Sequence, residues 1–375
     1  MVDDELECVV NNGKLKATTD FSIIKECDAI IICVPTPLDS FKKPDMTFIE
    51  NACIEIGQNM KRGTFISLES TTYPTTTENF MKPIIERESG FESEKDFWLA
   101  FSPERVDPGN FNYKTENTPK VLGGLGKDTV DIGVAIYKKA IKEIYPVSSP
   151  RVAEMVKILE NTYRLINISL VNELALLSGK MEIDIWEVIE AAKTKPFGFT
   201  PFYPGPGIGG HCIPLDPFYL EYIAKNYQFD LSMINTAGHI NNMMPHRMSI
   251  KINSALNRHR KSINGSKILF LGVAYKANIG DERESPALRI IDEVAKKSGD
   301  VLYHDPYIPE ITTYEGRKFK SVDLTDELFI NIDCVVFTTV HDVFNINDIV
   351  NKSKLVVDFK NATKDIDDKE KIYKL

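Results

Sequence analysis

Short uninterrupted apolar runs, each closed by a polar or proline-bearing turn, limit the fold of this chain more than any other feature. Ala29-Ile30-Ile31-Ile32-Cys33-Val34, Thr64-Phe65-Ile66-Ser67-Leu68 and Phe97-Trp98-Leu99-Ala100-Phe101 are too short for helices. They do not alternate cleanly with polar residues, so they suit strands covered on both faces. The turns that follow are Pro35-Thr36-Pro37, Glu69-Ser70-Thr71-Thr72 and Ser102-Pro103-Glu104-Arg105. In an open parallel sheet such turns gather at the carboxyl ends of strands, where ligands bind.

From about residue 151 to 179 the pattern becomes that of a long helix, with Val156, Leu159, Tyr163, Ile166, Leu170 and Leu174 at three- and four-residue spacing. Helices then dominate to about residue 256, interrupted by a proline- and glycine-rich stretch over 196–217. Strands resume with Lys267-Ile268-Leu269-Phe270-Leu271-Gly272, a helix near 286–297, and the runs Val301-Leu302-Tyr303, Cys334-Val335-Val336-Phe337 and Leu355-Val356-Val357. The expected class is α/β. A Rossmann-like domain over 1–150 precedes a central helical domain over 151–260, and a second Rossmann-like domain fills 261–375. The charged tail over 364–374 reads as a solvated end.

A formal net charge of −9 over 375 residues gives no general attraction to phosphate backbones. Nucleic acid is therefore not an expected partner, and an anionic ligand needs a local pocket. No apolar run reaches the roughly 18 residues of a membrane span, and Met-Val-Asp-Asp-Glu is the opposite of a basic secretory start. A cytoplasmic protein is expected. The six cysteines, Cys8, Cys27, Cys33, Cys53, Cys212 and Cys334, lack the spacing of zinc sites or a disulfide framework, so reduced thiols and no metal are expected.

Gly205-Pro206-Gly207-Ile208-Gly209-Gly210 has the spacing of a dinucleotide fingerprint but not its context, because it follows Pro201 and Pro204 and runs into His211-Cys212-Ile213-Pro214. These glycines instead suit close approach of backbone to a ligand. Asp216 with Pro217 fits an N-cap followed by proline at the first helical position, which puts Cys212 just ahead of a helix N-terminus. There it reads equally as a reactive thiol and as a packed structural one. Lys157 and Asn161 share a helix face, and by themselves they read as a solvated lysine and a surface amide. Glu104 can likewise simply end a strand, and Thr71 simply make a turn.

Six motifs in order change that reading. Val34-Pro35-Thr36-Pro37, Glu69-Ser70-Thr71, Ser102-Pro103-Glu104-Arg105, Glu154-x-x-Lys157-x-x-x-Asn161, Gly209-Gly210-His211-Cys212-Ile213-Pro214-x-Asp216, and Lys276 with Asp281-Glu282-Arg283-Glu284-Ser285 together resemble the UDP-glucose/GDP-mannose dehydrogenase family. The likeness covers essentially the whole chain. Its branch is similar to the one that oxidises UDP-N-acetylhexosamines, on Ser102-Pro103-Glu104-Arg105-Val106-Asp107-Pro108-Gly109 and on residues 195–207. Where UDP-glucose enzymes often carry a second glutamate this chain has Pro108, and Leu215 replaces a common lysine.

The resemblance implies an NAD-dependent, four-electron oxidation at C6 of a UDP-sugar, with UDP-N-acetylglucosamine the expected substrate, in polysaccharide biosynthesis. Cys212 is the implied nucleophile, Lys157 the oxyanion stabiliser and Asn161 a positioning group. Asp216 holds water or shares a proton with Lys157, Glu104 is the base for thioester hydrolysis, and Thr71 binds water. Val34, Pro35, Thr36, Glu69 and Arg283 are implied cofactor contacts. Arg105, Tyr203, Gly207, Gly209, Lys276 and Lys360 are implied substrate contacts, with Lys360 standing where the family commonly has arginine. The long helix resembles a dimer-forming element, so a homodimer or higher homo-oligomer is expected. Against the family pattern, no strand before Val34 ends in a glycine fingerprint, so the first domain reads as incomplete. Weak NAD binding and an exposed edge at the strand near 30–34 are expected. The competing function is that of an inactive nucleotide-sugar-binding remnant or half of a split enzyme.

Overall fold

The structure is a computed structural model describing residues 3–39, 43–107, 110, 112–210, 212–366, 368 and 370–375. They form two compact units, Met1–Asp107 with Asn112–Lys157, and Pro108–Phe111 with Ile158–Leu375.

The first unit holds a five-stranded sheet in the order β1-β2-β3-β4-β5. Its strands are β1 (Ala29–Ile32), β2 (Thr64–Leu68), β3 (Phe97–Phe101), β4 (Lys120–Gly124) and β5 (Ile144–Val147). All five residues of β2 are buried, as a continuous apolar run requires. Ile66 and Leu68 face the helices Thr47–Asn59 and Lys82–Ser89, while Phe65 faces the helix Lys127–Tyr137 with Leu122 and Tyr137. Gly57 lets the first two helices touch, since a Cβ there would lie 2.6 Å from Glu88 Cβ. Strand β1 is an edge among the described strands, with Ile31 39% exposed.

The sheet is not wholly parallel. Strands β1, β2 and β3 run together, but β4 pairs antiparallel with β3, Ala100 opposite Gly124. That reversal brings Lys120, at the start of β4, to the end of the sheet where β1, β2 and β3 finish.

The second unit contains the helical segment and a sheet in the order β12-β11-β10-β6-β7. Its strands are β6 (Lys267–Leu271), β7 (Asp300–His304), β10 (Cys334–Phe337), β11 (Val356–Asp358) and β12 (Ile372–Lys374), all parallel. A small hairpin, β8 (Glu310–Thr312) with β9 (Lys318–Lys320), lies outside it. Ile268 and Phe270 of β6 pack with Met244 and Met248 of the helix Ser232–Arg258 and with Ile290 and Ile291 of the helix Pro286–Lys296. Leu269 and Leu271 pack on the opposite face with Phe329, Ile349 and Val350. Period-two alternation thus places a helical layer on each side.

Residues 372–374 are the fifth strand of this sheet, contrary to the expected solvated tail. Ile372 and Leu375 are buried, and the Leu375 N–H donates to the Asp358 carbonyl at 2.9 Å. Surrounding lysines and aspartates hid two apolar side chains that suffice to dock a short strand. The long helix runs over Pro150–Lys180, close to its sequence limits. Strand order reverses between β6 and β10, which makes their carboxyl ends the topological switch point of the sheet.

Candidate active site

In the second unit, Cys212 lies on the loop between the helices Ile185–Lys193 and Asp216–Ala224. Its carbonyl accepts the N–H groups of Leu215 (3.2 Å) and Asp216 (2.8 Å), which fixes the thiol one turn ahead of the second helix. The side chain is exposed. Asp216 is not the N-cap. Leu215 occupies that position without a side-chain cap, and Asp216 is the first helical residue. Its buried carboxylate instead accepts from Asn161 Nδ2 at 2.6 Å. A local capping pattern lost to a tertiary hydrogen bond, and Asn161 is buried rather than a surface amide.

The glycine-rich run meets protein. A Cβ at Gly209 would lie 2.8 Å from Tyr275 Cβ and 2.9 Å from the Glu284 carbonyl oxygen. At Gly210, where φ is +84°, it would lie 2.9 Å from the Tyr275 ring. Gly210 N–H donates to the Arg283 carbonyl at 3.0 Å. These contacts hold the Cys212 loop against residues 275–286. Arg283 lies within electrostatic reach of Cys212, and its guanidinium is held by Asp281 (Nη2 to Oδ2, 2.7 Å), which raises its pKa further. Two asparagines that sequence reasoning passed over fasten the same loop. Asn172 accepts from Gly205 N–H (2.9 Å) and Asn241 from Ile208 N–H (2.6 Å). Gly207, at φ +134°, packs near Pro286 and Asn241. Asparagine at a buried helical position was the available signal.

Lys276 and Arg283 both belong to the segment that leaves β6 at the switch point. This segment is pinned by a buried network. Asp305 Oδ2 accepts from Val273 N–H (2.7 Å) and Ala274 N–H (3.2 Å) and lies 3.0 Å from His341 Nε2. His341 Nδ1 accepts from Asn278 N–H (2.9 Å), so the ring proton sits on Nε2. Burial opposes the charged form of Asp305, but hydrogen bonds from His341, Tyr307 and Val273 outweigh it and hold its pKa below the ordinary value. Tyr203 stacks on Trp186 (6.0 Å between ring centroids), and its hydroxyl donates to Glu190 at 2.6 Å. Lys360 is exposed, with Nζ beside Gly205 at 3.1 Å from the Cβ position.

In the first unit the turns after β1, β2 and β3 run side by side. Ser70 Oγ donates to the Val34 carbonyl at 2.7 Å, and Ser102 N–H to the Leu68 carbonyl at 2.9 Å. Pro35 is exposed, Thr36 buried and Thr71 half-buried in these turns. Both carboxylate oxygens of Glu69 are engaged within the protein, by Lys120 Nζ (2.9 Å) and by the Tyr137 hydroxyl (2.6 Å). The Glu104 side chain accepts from Arg105 N–H (2.7 Å) and Val106 N–H, and its carbonyl accepts from Lys157 Nζ at 2.6 Å. Arg105 Nη1 reaches the Pro119 carbonyl at 3.0 Å. Glu154 is buried and receives Thr75 N–H, Thr77 N–H and Thr77 Oγ1, which ties the long helix to the segment after Thr71. Pro108, Gly109 and His211, all within the sequence motifs, lie outside the described residues.

Two α/β units, one with turns gathered at a parallel sheet end and one with an exposed-cysteine loop beside a switch point, describe an enzyme of the dinucleotide-using kind. The chain belongs to the UDP-glucose/GDP-mannose dehydrogenase family. Residues 2–141 match its NAD binding domain, 151–243 its central domain and 269–365 its UDP binding domain. It is an NAD-dependent oxidoreductase. It is 33% identical over 331 residues to the UDP-N-acetyl-D-glucosamine 6-dehydrogenase of Salmonella typhi, covering 88% of this chain and 77% of that one. The solved UDP-D-ManNAc dehydrogenase of Pyrococcus horikoshii superposes with a TM-score of 0.86 at 33% identity, over 96% of this chain and 84% of that one. The NDP-N-acetyl-D-galactosaminuronic acid dehydrogenase of Methanosarcina mazei gives a TM-score of 0.84 at 30% identity, over 100% and 82%. Among the described residues no helix is long and apolar enough to cross a membrane.

Proposed function

We propose that this chain oxidises a UDP-N-acetylhexosamine, UDP-N-acetylglucosamine in the first instance, at C6 to the uronic acid. The observation that carries the reading is Cys212, exposed ahead of a helix and clamped to the Arg283 loop, in a chain whose relatives are named for UDP-N-acetyl sugars. Domains at 1–150, 151–260 and 261–375 divide the work into cofactor binding, catalysis with dimerisation, and UDP-sugar binding. The route serves polysaccharide synthesis in the cytoplasm.

The turns bearing Val34, Pro35, Thr36 and Glu69 fit a dinucleotide because they end parallel strands. Since the Glu69 carboxylate is committed to Lys120 and Tyr137 and its N–H to the Ile32 carbonyl, its backbone carbonyl is the part offered to the cofactor. NAD, when bound, supplies the hydride acceptor. Cys212 adds to the C6 aldehyde and, once that carbon is oxidised, carries the sugar as a thioester; water then releases the acid and returns the thiol. Lys157 and Asn161 stabilise and orient the C6 oxygen, with Asp216 setting the Asn161 amide. Glu104 accepts the proton of the attacking water, which Thr71 holds. Lys276, Lys360, Arg105, Tyr203, Gly207 and Gly209 hold the UDP-sugar, and Arg283 assists the cofactor.

A pocket built for an acetamido group leaves polar groups unpaired when it meets a bare hydroxyl. The specificity constant for UDP-N-acetylglucosamine should therefore exceed that for UDP-glucose by about a hundredfold, the scale of a buried group left unsatisfied. NADH formation across a panel of UDP-sugars reads this, and equal constants for the two sugars refute the assignment.

A homodimer is part of the same proposal. In the second unit Leu159, Tyr163, Leu170 and Leu174 stand exposed at heptad-like spacing on the long helix, from 41% to 63% accessible. Leu170→Glu is expected to convert a dimer to a monomer by light scattering; an unchanged mass places the interface elsewhere.

A further inference from the structure

In the second unit a cavity of about 720 Å³ lies away from Cys212. It is bordered by the last turns of the helix Pro150–Lys180, by residues 247–258 of the helix Ser232–Arg258 and by β12. Lys180, Arg247, Lys251, Arg258 and Lys374 line it, with Glu182 as the one acidic lining residue. That local excess runs against a chain of net charge −9.

Ordinary helix chemistry explains part of this set. Lys180 and Arg258 close their helices, where the dipole favours cations, and Arg258 also lies 5.2 Å over the Tyr373 ring. Arg247 and Lys251 have no such reason. They stand four residues apart inside a helix, a spacing at which like charges repel. Among the described residues neither they nor Lys180 nor Lys374 forms an ion pair. Lys251 is only partly exposed, with Nζ 3.8 Å from the Cβ position of Gly179. Burial, then the charge of Arg258, holds its pKa below the usual lysine value. An uncompensated cation cluster in a partly dry cavity costs stability, and an anion seated there offsets that cost.

We propose that this cavity binds a polyphosphorylated small molecule of nucleotide size, at a site separate from that of Cys212. The volume suits such a ligand. Four of the cations supply phosphate contacts, and Leu176, Leu177 and Ile250 offer an apolar wall to the remainder of the molecule. A second copy of the chain is a poorer occupant, because a two-fold contact here sets the same cationic surface against itself.

The test is calorimetric titration of the whole chain with inorganic tripolyphosphate and with UTP, in saturating UDP to fill the UDP binding domain. Wild type is expected to bind both. Arg247→Ala, at an exposed position, and Arg247→Ala with Lys251→Met are expected to weaken binding at least tenfold while UDP affinity stays unchanged. No binding by wild type, or equal binding by wild type and both variants, overturns the proposal. Light scattering showing that the substitutions dissociate a dimer in the absence of any anion overturns it as well, by identifying the second copy as the occupant.

Discussion

Cys212→Ser is expected to abolish formation of the uronic acid, lowering turnover by about three orders of magnitude or more, the scale on which loss of a catalytic nucleophile acts. A serine hydroxyl is far less ionised than a thiol near neutral pH, and an ester is a poorer acyl carrier than a thioester for the hydrolysis that follows. The side chain is exposed and its backbone is fixed by Leu215 and Asp216 N–H groups that serine leaves untouched. Melting temperature and UDP affinity should therefore stay at wild-type values, separating lost chemistry from lost structure. NADH absorbance with product analysis is the measurement, and wild-type rates of acid formation in the variant remove Cys212 from the mechanism.

The second large effect falls on stability. His341→Ala should cost about 2–4 kcal/mol in denaturant unfolding, the scale for removing a buried side chain that hydrogen-bonds a carboxylate on one side and a backbone N–H on the other. His341 and Asp305 side chains are both 0% exposed, and the ring bridges Asp305 to the Asn278 N–H. Removing it takes one donor from a buried carboxylate and leaves the Asn278 N–H without its acceptor. His341→Gln, which keeps a donor on the longer side chain, should recover part of the loss. A cost below 1 kcal/mol for the alanine variant contradicts the network as described. The pH dependence has a definite sign. Because the folded state holds the Asp305 pKa below its unfolded value, its contribution is present above the ordinary carboxyl range near pH 4. It is lost as pH falls through the folded value.

Those elements that local chemistry determines were readable from sequence. Strands β1, β2, β3, β6 and β10 announced themselves as apolar runs, and the long helix as a periodic stripe, because burial on both faces or on one face leaves different spacing. Strand β4 was not legible in its direction. Lys120-Val121-Leu122-Gly123-Gly124 carries no mark of antiparallel pairing; its glycines serve other contacts, letting Ser149, Pro150 and Thr129 come close. Asp216 shows the limit at the site itself: an acidic residue before proline fits a cap, and only the fold reveals that Asn161, 55 residues earlier, claims the carboxylate. His341 and Asp305 lie 36 residues apart on different strand ends, so no local pattern joins them.

The anchoring of the 273–285 segment by His341 has a consequence for how the unit matures. Strand β6 pairs with β10 across more than 60 residues, Ile268 opposite Cys334, and His341 follows β10 in the chain. Non-local parallel pairing of this kind forms slowly, since loop closure precedes the contacts that reward it. The segment carrying Lys276 and Arg283 is therefore expected to gain its last anchor, the Asn278 N–H to His341 bond, only after β10 has docked. With the substrate role proposed for Lys276, UDP binding during refolding is then expected to report completion of the sheet rather than its nucleation.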